Sequence, residues 1–285
     1  MSGAAPSRGV VLALGGGGVR GLAHLGVLAE FEEARVSVKG IAGTSSGALM
    51  GALWLLFGAQ PAIARVREFI ASGVDQGLAD LQGAAEDGGP RIFRRVRHAA
   101  VLLRAMLMGQ PVSRKELLER MEALLPAVEI QTLPVPFLAV CTASDSGDEV
   151  RLGHGPLRQS VAASSAMPGL VSPIEVAGQR LQDGGAVAEV PVRAARSLGS
   201  PVLAVEVSEA LPYLGVDGDR VPGALFRAAA MGWRELRQRT LAEADAVIAP
   251  EVNVLHWADY GALDRAVEAG RAAARAFLAS TTANS

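Results

Sequence analysis

Along this chain, short unbroken apolar runs alternate with stretches in which apolar residues return every third or fourth position. Gly9 to Leu14, GVVLAL, has no polar alternation, as expected of a strand buried on both faces. After Gly15 to Gly21, residues Leu22, Leu25, Leu28 and Phe31 fall at helical spacing, with Glu30, Glu32 and Glu33 on the other side. A second strand, roughly VSVKGIA, leads into Gly43-Thr44-Ser45-Ser46-Gly47, and ALMGALWLLFGA then reads as a helix packed all round. Pro61 to Ser72 is a more amphipathic helix, and Gly73 to Pro90 a polar, glycine-rich loop. Ser113 to Leu125 carries a capping box, Ser113 with Glu116 three residues on.

Further on, Val135 to Ala143 predicts a buried strand and Glu149 to Leu152 its neighbour across a turn at Asp145 to Asp148. Pro156 to Ala166 predicts a helix rich in small residues, followed by a strand pair around Gly178 that ends at Asp183-Gly184-Gly185. A helix at Val190 to Leu198, a strand at Pro201 to Val207, and a long helix at Val221 to Ala244 with arginines on its exposed side come next. A short strand at Ala246 to Ile248 and a helix from Leu263 to Leu278 close the pattern. Strands alternating with helices predict the α/β class with a largely parallel sheet. No repeat or linker interrupts the pattern, so residues 1–285 are expected to form one domain.

Composition narrows the function classes. Half of the 285 residues are hydrophobic and 20% charged, with a mean hydropathy of +0.28, a balance that favours folding over disorder. The longest apolar run, Gly47 to Ala59, is shorter than the roughly 18 residues of a membrane-spanning helix. The N-terminus lacks the basic start and cleavage site of a signal peptide, so a cytoplasmic location is expected, peripheral to the inner membrane face if the chain touches lipid. A net charge of −2 makes no case for nucleic acid. The single cysteine, Cys141, excludes an internal disulfide and a multi-cysteine metal site, and its apolar setting predicts a buried thiol.

Local charge is more informative. Arg91 to Met108 places Ile92, Val96, Ala99, Leu103 and Leu107 along one side, with Arg91, Arg94, Arg95, Arg97 and Arg104 among them. Such a basic amphipathic helix fits three roles: a contact with an anionic membrane, a lid over an acyl site, or an ordinary surface helix.

Two motifs carry candidate chemistry. Gly43-Thr44-Ser45-Ser46-Gly47 is a G-x-S-x-G pattern centred on Ser45, and a serine nucleophile needs a sharp strand-to-helix turn with backbone N–H donors nearby. Ser46 suits the first turn of the following helix. Upstream, Gly15-Gly16-Gly17-Gly18-Val19-Arg20-Gly21 joins a strand to a helix and offers unpaired N–H groups to an anion. Gly16-x-Gly18-x-x-Gly21 also matches the dinucleotide fingerprint, but no carboxylate ends the second strand where a ribose would need one. The loop therefore reads better as a cradle for a transient oxyanion beside Ser45.

A base is still required. Asp183 lies in a glycine turn far downstream, and the order Ser45, Asp183, His256 is that of an α/β-hydrolase triad, although Ser45 follows only the second strand. His24, His98 and His154 read as structural or surface histidines. A non-catalytic regulator binding phosphate or nucleotide through the glycine loop is a separate possibility.

Taken together, Gly16-Gly17-Gly18-Val19-Arg20-Gly21 with Leu22 to Leu28, then Gly43 to Gly47, Ala163-Ser164-Ser165-Ala166-Met167-Pro168-Gly169, and Asp183-Gly184-Gly185 resemble the patatin-like phospholipase family, particularly its small bacterial members. The blocks run in the family's order over residues 9–193, and the remainder, 194–285, is expected to complete the sheet and its helices. The resemblance implies a three-layer α/β/α sandwich and a lipid or lipid-like ester substrate, with no cofactor and no metal. It implies a Ser–Asp dyad: Ser45 as nucleophile, Asp183 as proton acceptor. Gly17 and Gly18 would supply the oxyanion hole, supported by Gly16, Arg20 and Gly21, while Gly43, Gly47, Gly184 and Gly185 complete the motifs. Leu170 and Val171 stand where the family often has an aromatic, a departure that bears on the acyl pocket.

Overall fold

The structure, a computed structural model, describes residues 9–73, 112–208, 221–256 and 258–283. The proposed basic helix from Arg91 to Met108 and most of the loop before it lie outside the described residues. A mixed sheet of eight strands organises the rest. In chain order these are β1 (Val10–Leu14), β2 (Val38–Thr44), β3 (Phe137–Ala143), β4 (Glu149–Leu152), β5 (Ile174–Val176), β6 (Gln179–Asp183), β7 (Val202–Val205) and β8 (Ala246–Ile248). Their spatial order is β5-β6-β3-β2-β1-β7-β8, with β4 also paired to β3. The run from β3 to β8 is parallel, whereas β4 and β6 pair with β3 antiparallel and β5 pairs with β6 antiparallel.

Alternation along β1 shows how the strands divide the core. Val10, Leu12 and Leu14 point into one cluster, and Val11 and Ala13 into a second on the opposite face. The first cluster is closed by α1 (Ala23–Glu33), α2 (Ser46–Phe57), α3 (Ala59–Ala71), α4 (Arg114–Leu124), α5 (Leu157–Ser164) and α9 (Leu263–Ala283). A one-turn α6 (Gly185–Ala188), α7 (Val192–Leu198) and α8 (Val221–Leu241) lie on the second face. The predicted α/β class and the layering agree with this arrangement, in which β7, β8, α8 and α9 come from residues 202–283.

Most element boundaries fall within two or three residues of their sequence expectation. The capping box at Ser113 is formed: its hydroxyl accepts the Glu116 N–H at 3.1 Å, and the Glu116 carboxylate accepts the Ser113 N–H at 2.6 Å. The largest departure is on α8, where Arg237 is buried rather than on the exposed side. Its side chain pairs with Glu189 and Glu206, so the apparent polar face of that helix holds an internal ion cluster.

Strand order reverses at β1: the chain builds β2 and β3 to one side of it and later adds β7 and β8 on the other. In an open parallel sheet the crevice beyond the carboxyl ends at such a reversal is where ligands bind. The glycine loop and Ser45 follow the carboxyl ends of β1 and β2 at that place.

Candidate active site

Ser45 sits between β2 and α2 with φ 53° and ψ −122°, a left-handed conformation rare for a residue with a Cβ. Ser45 is partly exposed, and the turn is held by long-range contacts. Its N–H donates to the Ser164 hydroxyl at 2.9 Å, and that hydroxyl donates on to the Val140 carbonyl at 2.6 Å. Ser164 is fully buried at the end of α5. Immediately before the turn, the Thr44 hydroxyl donates to the Ala188 carbonyl at 2.8 Å. At Gly47 a Cβ would lie 2.2 Å from the Leu14 carbonyl oxygen, so only glycine lets α2 start this close to β1.

Asp183 reaches Ser45 through strand register. Thr44 pairs with Val140 across β2 and β3, so the next residue, Ser45, stands beside Cys141, and Cys141 pairs with Asp183 across β3 and β6. The chain must then pass tightly over β3: a Cβ at Gly184 would approach the Val140 carbonyl to 2.4 Å. The backbone of Asp183 is tied on both sides, its N–H donating to Ala166 and its carbonyl accepting the Thr142 hydroxyl, each at 2.9 Å.

The Asp183 carboxylate, only 5% exposed, lies by the Ser45 side chain and accepts the Gly185 N–H at 2.7 Å. Burial pushes its pKa from 3.8 up to about 6; the Ser45 side chain and the Gly185 N–H pull it down, and the charge of nearby Glu189 pushes it up again. The group is therefore ionised at neutral pH yet much closer to a useful base than an exposed aspartate. Cys141 is buried, with its thiol pushed upward by burial and by Asp183.

The glycine loop comes close to the serine from the other side. A Cβ on Gly16 would stand 3.4 Å from the Ser45 Cβ. Its path is fixed from below: the Gly15 N–H donates to Val205 at 3.1 Å and the Gly16 N–H to Glu189 at 2.9 Å. The Arg20 Nε donates to the Gly17 carbonyl at 3.3 Å, consistent with a part in fixing the loop. Neither the Gly17 nor the Gly18 N–H is taken by an acceptor among the described residues, and both glycines are partly exposed.

Of the four histidines, His24 is the informative one. It is fully buried, its Nε2 donates to the Gly15 carbonyl at 2.7 Å, and burial lowers its pKa to about 4, so it stays neutral and braces the start of the loop. The sequence reading assigned His24 no part in the site. The available signal was its position one turn into the helix, where side chains lean back toward the preceding strand end. His154 is exposed, and His98 lies outside the described residues. His256 follows β8, which four strands separate from β6, and its Nδ1 accepts the Ala258 N–H at 3.3 Å. Among the described residues no histidine is a partner of Asp183.

Comparison with known proteins agrees with the motif pattern. The patatin-like phospholipase family model matches residues 12–196. An uncharacterized NTE family protein of Mycobacterium bovis is 30% identical over 296 aligned residues, covering 95% of this chain and 46% of the relative. The mouse patatin-like phospholipase domain-containing protein 6 is 28% identical over 218 residues, covering 75% of this chain and 15% of the relative. The chain thus spans about half the length, or less, of these curated relatives. Among solved structures, VipD from Legionella pneumophila aligns with a TM-score of 0.45 and 18% identity, over 96% of this chain and 67% of the other.

Proposed function

The chain belongs to the patatin-like phospholipase family, and from that premise we propose that it is a serine lipid acyl hydrolase of the phospholipase A or lysophospholipase type, acting through residues 1–285 as one catalytic unit. The observation that carries the reading is the buried Asp183 carboxylate, on whose pKa the Ser45 side chain acts, set beside a glycine loop whose Gly16 comes close to Ser45.

In the proposed reaction, the Ser45 oxygen attacks the ester carbonyl carbon while its proton passes to Asp183. The carbonyl oxygen, now negative, is met by the Gly17 and Gly18 N–H groups, the donors this reading assigns to the developing charge. Collapse of the tetrahedral intermediate breaks the bond to the leaving alcohol, and Asp183 returns the proton to it. Water then enters, gives a proton to Asp183 and attacks the acyl-serine, and the same loop stabilises the second oxyanion. Its collapse breaks the bond to the Ser45 oxygen, which takes the proton back from Asp183 as the free acid leaves. Arg20 secures the loop through the Gly17 carbonyl. Ser45 and Asp183 suffice for this proton traffic, so the reading assigns no role to His256. Among the described residues no helix is long and apolar enough to cross a membrane, and the lipid is taken to be presented at a membrane or micelle surface.

The test is labelling with a serine-reactive fluorophosphonate, paired with hydrolysis of phospholipid, lysophospholipid, triglyceride and thioester substrates. Ser45→Ala should abolish both labelling and hydrolysis while the fold survives. Hydrolysis undiminished in Ser45→Ala would remove Ser45 as nucleophile, and a loss in His256→Ala equal to that in Ser45→Ala would move the assignment to a histidine triad.

A further inference from the structure

The glycine loop rests on two neighbouring segments, and a single side chain from α8 holds both. The first is the end of α6 and the residue after it, where the Glu189 carbonyl accepts the Gly16 N–H at 2.9 Å. The second is the extension of β7: Val205 accepts the Gly15 N–H, and Val207 packs so tightly on Gly17 that a Cβ there would lie 2.9 Å from the Val207 carbonyl oxygen. Arg237 bridges these segments. Its Nη1 donates to Glu189 Oε2 at 2.9 Å and its Nε pairs with Glu206 Oε1 at 3.0 Å, while the side chain is only 8% exposed.

We propose that Arg237 is a positioning residue that keeps the glycine loop in place against Ser45 by clamping the two segments that support it. The inference rests on the acyl-hydrolase reading of the site. It assigns a part in that site to α8, which lies beyond the residues 12–196 matched by the family model. A planar guanidinium suits the role because it can meet two carboxylates at fixed angles, which a lysine ammonium cannot reproduce.

The clamp also has an electrostatic consequence. The groups acting on Asp183 are Ser45 from the β2–α2 turn, the Gly185 N–H, Cys141 on β3, and Glu189 after α6. The groups facing Glu189 are Arg237 on α8 and Glu206 after β7. With Arg237 removed, Glu189 and Glu206 lose their shared counter-ion, and of the two it is the charge of Glu189 that raises the pKa of Asp183.

The experiment compares the wild-type chain with Arg237→Gln, Arg237→Lys and the double variant Arg237→Met with Glu206→Gln. The double variant removes one of the two carboxylates left without a counter-ion by the single loss and so keeps the test usable if Arg237→Gln does not fold. Rates of ester hydrolysis across pH are read alongside the rate of fluorophosphonate labelling at Ser45 and thermal unfolding. For Arg237→Gln and the double variant, kcat and the labelling rate should fall about tenfold or more with KM within about twofold, and the acid limb of kcat/KM should move upward by about half a pH unit. Arg237→Lys should keep the limb at its wild-type position while losing part of kcat. The inference is overturned if folded variants keep wild-type kcat, if only KM changes, or if the limb stays or moves down. Absence of hydrolysis or labelling in the wild-type chain itself would instead remove the underlying acyl-hydrolase reading.

Discussion

Replacing Asp183 by asparagine should cost activity and add stability, and the two effects can be measured on one sample. The perturbation is nearly isosteric. The asparagine Oδ1 can still accept the Gly185 N–H, and its amide can donate to the Ser45 hydroxyl, so the hydrogen bonds are retained while the charge is lost. In the wild-type chain, burial raises the carboxyl pKa from 3.8 to about 6. At about 1.4 kcal/mol for each tenfold change in proton affinity, holding the ionised form costs the folded state ~3 kcal/mol at neutral pH. The sign follows from proton uptake. Between pH 3.8 and about 6 the folded chain binds the proton more tightly than the unfolded chain, so the wild-type protein loses stability as pH rises through this window and stays flat above it. The asparagine variant has no such loss. The stability difference should therefore be near zero at pH 4 and reach ~3 kcal/mol at pH 8, a melting-temperature gain of roughly 6 °C for a chain of this size. Urea and thermal unfolding of both proteins at several pH values measure it, with a hydrolysis assay expected to show a loss on the order of 10²-fold or more. Stability curves that run parallel across pH would refute the claim that a buried ionised carboxylate is maintained at Asp183 against its own desolvation.

The same pKa sets the pH profile. Asp183 must be ionised to accept a proton, so kcat/KM should fall about tenfold per unit below pH 6 and level off above it; a plateau extending unbroken to pH 4 would exclude Asp183 as the base. Ser164→Ala strips the Ser45 N–H and the Val140 carbonyl of their shared partner. It should destabilise the fold by about 1–3 kcal/mol and slow acylation about tenfold, read as a reduced fluorophosphonate labelling rate on folded protein. Labelling at the wild-type rate would mean that the strained turn at Ser45 does not depend on Ser164.

How much of this was legible in the sequence depended on whether a constraint was local. The strained turn at Ser45, the capping box at Ser113 and the apolar run of β1 each leave their signature within a few residues, because each is a matter of nearby backbone geometry or burial. Gly47 and Gly184 were readable as motif glycines, though the carbonyls that forbid a side chain there, those of Leu14 and Val140, belong to other strands. Ser164 and His24 appeared in the motif blocks without a role, since their partners Ser45 and Gly15 are identified only once the chain is folded. Arg237 was misplaced outright. Arginine at helical intervals reads as a solvated face, and only the approach of Glu189 and Glu206 from two distant segments turns that position inward.

The architecture also explains why a carboxylate rather than a histidine stands next to Ser45. Ser45, which follows the second strand, lies one strand from the reversal in sheet order, with β1 and its glycine loop on one side and β3 on the other. The loop occupies the first side, braced by His24 at the Gly15 carbonyl and by Glu189 at Gly16. The other side is reached only by a strand paired with β3, and the antiparallel β6 arrives there with its last residue, Asp183, opposite Cys141. A short side chain at the end of a strand spans this gap without a long loop, and the tight passage at Gly184 turns the chain away directly afterwards. A histidine delivered after β8 would have to cross four strands to reach the same point. With the proposed base fixed by strand register, its pKa is raised chiefly by burial. The pKa near 6 is therefore a product of where β6 ends, and substitutions that move that end, at Gly184 or at the Ala166 and Thr142 contacts, act on catalysis through the same group.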